Sequence, residues 1–148
     1  LDSDMTFVPD TLDMMIDTLK SNNYEILTGM YFRRRPPFTP TLFRELRITN
    51  HGTVTAEFDE IPDSIFEVQG CGFGCVLMNR SVLWNVFCQN GGMFAPINGV
   101  GEDLSFCWRA RQCGYKIYCD PSFFLGHVGN QIISRNFYES YKTVRAQN

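Results

Sequence analysis

Apolar and polar residues recur along this chain at two spacings, one typical of helices and the other of strands. The clearest helix begins after Gly101 and stops at Gly114, a residue type suited to the left-handed position that ends a helix. Within it Leu104, Cys107 and Trp108 recur at helical spacing, so one stripe of the helix can pack against the protein. The residues expected on the opposite, solvent-facing side are Ser105, Arg109 and Gln112.

Three further segments have helical spacing. The first follows Asp10, which has the residue type of an N-cap. Its apolar face is predicted to contain Leu12, Met15, Ile16 and Leu19. A short helix over residues 82–88 is expected to bury Trp84 and Phe87. The last helix has apolar positions at Phe137, Tyr138, Tyr141 and Val144. Looser packing is expected at the chain end, at Gln147 and Asn148.

Strands are predicted between these helices. Their ranges are 24–31, 47–50, 52–58, 64–69, 75–78, 115–119 and 123–125. Asn50, His51 and Gly52 separate two of them, so His51 is interpreted as a turn residue. The strands between 47 and 69 are expected to form a small ribbon or lid.

Composition limits the classes of function. A chain of 148 residues fits one domain, which can bury roughly 70% of the surface that its unfolded form exposes. The net charge of -3 argues against a general nucleic-acid binder. No apolar segment has the length needed to span a bilayer. The six cysteines include no Cys-x-x-Cys pair, which disfavours a zinc site, and four of them are expected to be buried thiols.

Two acidic pairs and one histidine are the candidate chemical groups. Asp2 and Asp4 flank one small residue, a pattern typical of a strand end where both carboxylates face one side and share a hard cation. Glu102 and Asp103 open the clearest helix, where acidic residues are equally typical of ordinary dipole partners. His127 follows an apolar run and is either a packed residue or a third ligand of a Mn²⁺-like ion.

Two irregular segments lie between these groups. The arginines at positions 33–35 precede prolines that prevent helix formation, so they form either a solvated loop or a phosphate clamp. The glycine-rich segment at residues 70–74 leads into a strand instead of a helix, which disfavours a phosphate-cradling loop. Its residues Gly70, Cys71 and Gly72 either pack tightly or border a bound substrate.

In this order, the Asp-x-Asp pair at Asp2 and Asp4, the glycine-rich segment, the Glu-Asp pair and the Gly-His pair resemble the catalytic half of a GT-A glycosyltransferase. The resemblance is strongest to family 2, and only residues 33–65 lack the family pattern. It implies an α/β fold, namely the C-terminal part of a three-layer, Rossmann-like sandwich with a mixed sheet. It also implies that roughly a hundred residues with the nucleotide-holding strands precede this single domain of residues 1–148.

The same resemblance implies roles for individual residues. Asp4 would bind Mn²⁺ or Mg²⁺ directly, His127 would be another metal contact, and Asp2 would meet the ribose or a metal-bound water. Asp103 would be the general base of an inverting displacement, with Glu102 beside it. At a helix N-terminus Asp103 is expected to stay ionised and to be a weak base until water is excluded. The implied donor is a UDP- or GDP-sugar, and the acceptor is a saccharide or another hydroxyl compound. Substrate contacts are expected from Glu102, Arg33, Arg34, Arg35, Gly70, Cys71 and Gly72.

Further expectations concern the chain as a whole. The isolated chain is expected to have little transferase activity, to self-associate through an unpaired sheet edge, and to be cytoplasmic or peripheral at a membrane. Two alternatives stay open. One is an interaction module without catalysis. The other is a phosphatase of the haloacid-dehalogenase type, with Asp2 as nucleophile, although that mechanism needs a later lysine than Lys20.

Overall fold

The computed structural model describes residues 1–146, which contain four helices and eleven short strands. The helices are α1 (Thr11–Ser21), α2 (Arg80–Asn90), α3 (Glu102–Gln112) and α4 (Arg135–Ala146). The strands are β1 (Met5–Thr6), β2 (Ile26–Gly29), β3 (Leu42–Phe43), β4 (Glu45–Thr49), β5 (Gly52–Ala56), β6 (Phe66–Val68), β7 (Gly70–Cys71), β8 (Val76–Met78), β9 (Ile117–Asp120), β10 (Gly126–Val128) and β11 (Ile132–Ile133).

The largest sheet is mixed. Its strand order is β6-β9-β2-β8, in which β2 runs parallel to β9 while the β2–β8 and β6–β9 pairs are antiparallel. All four residues of β2 are buried, as expected of a strand covered on both faces. The predicted α/β class with a mixed sheet is therefore confirmed.

Helices cover both faces of this sheet. Leu27 of β2 belongs to a cluster with Met15 and Leu19 of α1, whereas its neighbour Ile26 belongs to a second cluster with residues of α2 and α3. Neighbouring strand residues point to opposite faces, so the two clusters lie on opposite sides of the sheet. The result is a helix, sheet, helix arrangement of three layers.

Three smaller pairings complete the described chain. Strands β1, β10 and β11 form an antiparallel sheet, and β3 pairs with β7. Strands β4 and β5 form a hairpin whose turn contains His51, as predicted, whereas β6, predicted for the same ribbon, pairs with β9 in the largest sheet. Gly114 has a φ of 88° just after α3, which confirms the predicted end of that helix.

The faces of the helices differ from prediction at four positions. Leu12, Trp84 and Phe87 are exposed instead of buried. The core-facing positions of α1 and α2 follow a spacing of four residues, which places Thr11, Met15 and Leu19, and likewise Val82 and Val86, inside. Ser105 is buried instead of solvent-facing, because its Oγ donates to the carbonyl of Val100 and accepts the N–H of Ile97, both at 3.0 Å.

The looser packing expected at the chain end concerns Gln147 and Asn148, which lie outside the described residues. Over residues 1–146, no helix combines the length and apolar character needed to cross a bilayer.

Candidate active site

The pairing of β1 with β10 brings Asp4 and His127 together. Met5 lies opposite His127 in this ladder, and the carbonyl of Asp4 accepts the N–H of Val128 at 2.8 Å. Asp4 directly precedes β1, and its Oδ2 lies 3.4 Å from Nε2 of His127. Residues separated by more than 120 positions in the sequence thus present a carboxylate and an imidazole to each other.

A backbone carbonyl orients the imidazole of His127. Its Nδ1 lies 2.8 Å from the carbonyl oxygen of Phe32, an atom that can only accept, so Nδ1 carries the proton and donates. In the neutral ring Nε2 then keeps its lone pair and faces Asp4. Metal-binding histidines commonly have this arrangement, in which the second ring nitrogen donates to a carbonyl.

The Asp4 and His127 donors fit a divalent cation. Two ligands of one Mg²⁺- or Mn²⁺-sized ion lie about 3 to 3.5 Å from each other when each is about 2.1 Å from the metal. The 3.4 Å separation of Oδ2 and Nε2 matches that geometry. Among the side chains of residues 1–146, no three from His, Cys, Asp and Glu converge. The protein therefore offers two ligands at this position, and phosphate and water oxygens would have to supply the rest.

Asp2 is placed differently from the sequence prediction. Residues 1–4 form a turn instead of a strand end, in which the N–H of Met5 donates to the carbonyl of Asp2 at 3.3 Å. The N–H of Asp2 donates in turn to the carbonyl of Gly74 at 3.0 Å. Over residues 1–146 no third acid converges with Asp4 and His127, so the assignment of the exposed Asp2 as a metal ligand is corrected.

Asp103 lies in the first turn of α3 and is held by one backbone N–H. Its Oδ2 accepts the N–H of Phe73 at 3.1 Å. Burial raises the pKa of the Asp103 carboxyl above its usual value; the Phe73 bond opposes this shift, and the negative charges of Glu102 and Asp2 add to it. A carboxylate with a raised pKa is a stronger proton acceptor, and burial is the cause here, so the expectation that Asp103 gains strength as a base when water is excluded stays a prediction. Glu102 is exposed and acts on Asp103 through its charge.

Tyr31 connects the two halves of the site. Its ring meets that of His127 edge-on, with centroids 5.3 Å apart, and its Oη accepts the N–H of Gly74 at 2.9 Å. The next residue back along the chain, Phe73, donates to Asp103. Burial raises the pKa of Tyr31 to about 12, and the charge of Asp103 contributes to that shift. Asp103 and His127 are therefore linked through Tyr31 and the backbone of residues 73 and 74.

The glycine-rich segment packs inside the protein. Gly70 and Cys71 form β7 and are buried, and a Cβ at Gly70 would lie 3.0 Å from Leu104. The Cys71 thiol lies 3.9 Å from that of Cys107. The prediction that Gly70 and Cys71 contact substrate is corrected, because both residues are buried. At Gly72 a Cβ would collide with Oη of Tyr31, so this glycine permits a close approach.

The three arginines have three different surroundings. Arg33 forms an ion pair with Glu57 at 2.7 Å, and Nη1 of Arg34 lies 2.9 Å from Oδ2 of Asp4. Arg35 is exposed. All three line a cavity of about 670 Å³ together with Pro36, Gly129 and Asn130. Among the described residues, Arg35 is therefore the one of the three arginines that forms no ion pair, whereas Arg33 pairs with Glu57 and Arg34 with Asp4.

Sequence patterns do not identify several residues that organise this site. Tyr31, Phe32 and Phe73 contribute a hydroxyl, a carbonyl and an N–H, and the last two groups occur in nearly every residue. The closely spaced glycines at 70–74 were the one available signal, because they permit close approach and Tyr31 is what approaches them.

Comparison with known proteins gives a likeness in fold. No protein-family model and no curated protein matches the sequence. Among solved structures, the crystal structure of A197 from STIV is similar, with a TM-score of 0.57 and 19% sequence identity. The match covers 92% of this chain and 64% of that chain, so the present chain spans less than two thirds of that protein. At this identity the likeness supports a shared α/β fold and carries no information about activity.

Proposed function

We propose that this chain contributes the cation-binding and proton-accepting groups of a metal-dependent GT-A glycosyltransferase of the family 2 type. The donor is a nucleotide-diphosphate sugar, and the acceptor is a hydroxyl compound such as a saccharide. The observation that carries the proposal is the pair Asp4 and His127, whose Oδ2 and Nε2 atoms lie 3.4 Å apart. The hydrogen bond from Nδ1 of His127 to the carbonyl of Phe32 supports the proposal, because it leaves Nε2 facing Asp4.

The bound divalent cation would neutralise charge that develops on the departing diphosphate. Asp4 and His127 would hold that cation through Oδ2 and Nε2. Arg34 and Arg35 border the adjacent cavity and would bind phosphate oxygens there.

Asp103 would accept the proton of the acceptor hydroxyl. In an inverting displacement the acceptor oxygen bonds to the anomeric carbon of the sugar while the bond from that carbon to the diphosphate oxygen breaks. The proton passes to the carboxylate of Asp103, whose raised pKa favours this transfer. The N–H of Phe73 keeps the accepting carboxylate in place.

The phosphatase alternative has less support. Its nucleophile would be Asp2, and its lysine would have to lie close to that carboxylate. Lys20 is an exposed residue in the last turn of α1. Over the described residues, the ion pairs made by acids of the opening motif both involve Asp4, with Arg34 and with His127.

A binding and turnover experiment tests the proposal. Electron paramagnetic resonance of free Mn²⁺ measures its binding with UDP or GDP present, and release of UDP or GDP from nucleotide sugars measures turnover. Asp4→Asn and His127→Asn are each expected to weaken Mn²⁺ binding by about tenfold or more. Asp103→Asn is expected to keep that binding and to lower turnover by roughly 100-fold or more.

Asp17→Asn is the matched control, because it removes an exposed carboxylate of α1 that lies outside the site. It is expected to bind Mn²⁺ and nucleotide as the unaltered protein does. The proposal is overturned if Asp4→Asn binds Mn²⁺ with unchanged affinity, or if the unaltered protein binds none with either nucleotide.

A further inference from the structure

The carboxylate that would bind the cation already has a positively charged neighbour from the same chain. Nη1 of Arg34 lies 2.9 Å from Oδ2 of Asp4. This is the oxygen that faces Nε2 of His127 at 3.4 Å. The guanidinium and a metal ion would therefore use lone pairs of one and the same oxygen atom.

The guanidinium and a divalent cation repel each other at this distance. An ion bound to Oδ2 of Asp4 would lie only a few ångströms from Nη1 of Arg34, where like charges repel strongly in a partly buried setting. Arg34 must then weaken or leave its contact with Asp4. Its side chain is half-exposed, so few packing contacts oppose such a movement.

The arginine cavity offers Arg34 a second partner. Its stem lies near Gly129, and both residues line the cavity of about 670 Å³; Arg34 is the lining residue that contacts Asp4. Arg33 is held by Glu57 at 2.7 Å and lacks this freedom. A diphosphate in the cavity would present oxygens that a guanidinium binds through two parallel hydrogen bonds.

We propose that Arg34 is an internal stand-in for the metal ion. It neutralises Asp4 in the absence of ligands and transfers to the diphosphate when the cation and the nucleotide arrive together. One side chain thereby couples the two binding events. This inference rests on the proposed function and adds a residue that controls the order in which that site fills.

The experiment compares Mn²⁺ binding alone, UDP binding alone, and binding of both. Arg34→Gln is expected to tighten Mn²⁺ binding without nucleotide by about threefold or more, because it removes a competing cation from Asp4. The same variant is expected to bind UDP more weakly in the presence of Mn²⁺. The factor by which UDP strengthens Mn²⁺ binding should therefore fall.

Two variants separate this effect from a general loss of positive charge. Arg35→Gln removes an equal charge from the same cavity but not the cation that contacts Asp4, so it is expected to change the affinity for Mn²⁺ alone less than Arg34→Gln does. Arg34→Lys retains a cation at position 34 and is expected to stay close to the unaltered protein. Thermal unfolding of each variant checks that folding is preserved.

The outcomes distinguish the two proposals. If Arg34→Gln and Arg35→Gln change Mn²⁺ affinity equally, or Arg34→Gln changes nothing, the stand-in role is overturned while the proposed function stands. If the unaltered protein and every variant fail to bind Mn²⁺, both proposals fall.

Discussion

The imidazole of His127 owes its orientation to the carbonyl of Phe32, and the carboxylate of Asp103 owes its position to the N–H of Phe73. In both cases one backbone group decides which atom of the side chain faces the site. A change in the backbone at either position would therefore alter the chemistry without changing a functional side chain. Single substitutions at this scale should therefore change the charge, the hydrogen bond or the side-chain volume one at a time.

Asp103 should make stability depend on pH. Because burial raises its pKa in the folded protein, its stabilising contribution is present at acid pH and is lost as pH rises through that raised value. Asp103→Asn removes this dependence and can still accept the Phe73 N–H, so its free energy of unfolding relative to the unaltered protein should rise between pH 4 and pH 7.

Urea unfolding at the two pH values measures the effect. Asp103→Ala serves as the comparison, because it leaves the Phe73 N–H without its partner and should be less stable than Asp103→Asn by about 1 kcal/mol at pH 7. Equal pH dependence in the unaltered protein and Asp103→Asn would contradict this assignment of the pKa shift.

Gly72 should tolerate no side chain. A Cβ there would collide with Oη of Tyr31, so Gly72→Ala is expected to lower the free energy of unfolding by about 1–3 kcal/mol. Gly92→Ala is the control, because none of the described atoms outside its own neighbourhood lies within 4 Å of a Cβ at that position. Chemical denaturation should show a clear loss for the first variant and a change within about 0.5 kcal/mol for the second.

At the scale of elements, sequence patterns predicted α3, its glycine end and the strand that follows, because each has a strong local signal. They located α1 and α2 but assigned Leu12, Trp84 and Phe87 to the wrong side. Apolar residues occur around most of α2, so local spacing does not select the buried face. Packing against the sheet and α3 determines which face of α2 is buried, and these elements are formed by residues distant in sequence.

The two faces of α2 should differ in their sensitivity to mutation. Val86 is fully buried, and Val86→Ala is expected to cost about 2 kcal/mol of stability. Trp84 is 65% exposed, and Trp84→Ala is expected to change stability by less than about 0.5 kcal/mol. Denaturant titration of both variants provides the comparison, and a larger loss for Trp84→Ala would mean that the helix faces are reversed.

The candidate site was less accessible to prediction than the elements. The acidic and imidazole groups of Asp4, His127 and Asp103 are recognisable in the sequence by residue type. The turn that separates Asp2 from Asp4 and the contact between Arg34 and Asp4 are not, because both depend on the pairing of β1 with β10. The pattern Asp-x-Asp alone therefore predicted one carboxylate too many.

At the scale of the whole molecule, the three layers leave little of the core open to solvent. Four cysteines were predicted to be buried thiols, and Cys71, Cys75, Cys107 and Cys119 are buried in this way. Cys88 is exposed. Self-association through an unpaired sheet edge stays a prediction.

This distribution predicts the reactivity of the thiols. Cys88 should react rapidly with a disulfide reagent in the folded protein, whereas the four buried thiols should react only on unfolding. Burial raises the pKa of the Cys119 thiol well above its usual value, which slows its reaction further. Cys113 is partly buried and should react at an intermediate rate. The double variant Cys88→Ser/Cys113→Ser should therefore abolish reaction in the folded protein, and a remaining rapid phase would show that one of the four buried thiols is accessible.

The central claim concerns one place in the molecule, the space between Oδ2 of Asp4 and Nε2 of His127. Anomalous diffraction from a crystal soaked with Mn²⁺ and UDP tests it most directly. The account predicts an anomalous peak about 2.2 Å from both atoms, with the guanidinium of Arg34 turned from Asp4 toward the diphosphate. A manganese peak elsewhere on the protein, with the Arg34 to Asp4 contact intact, would contradict it.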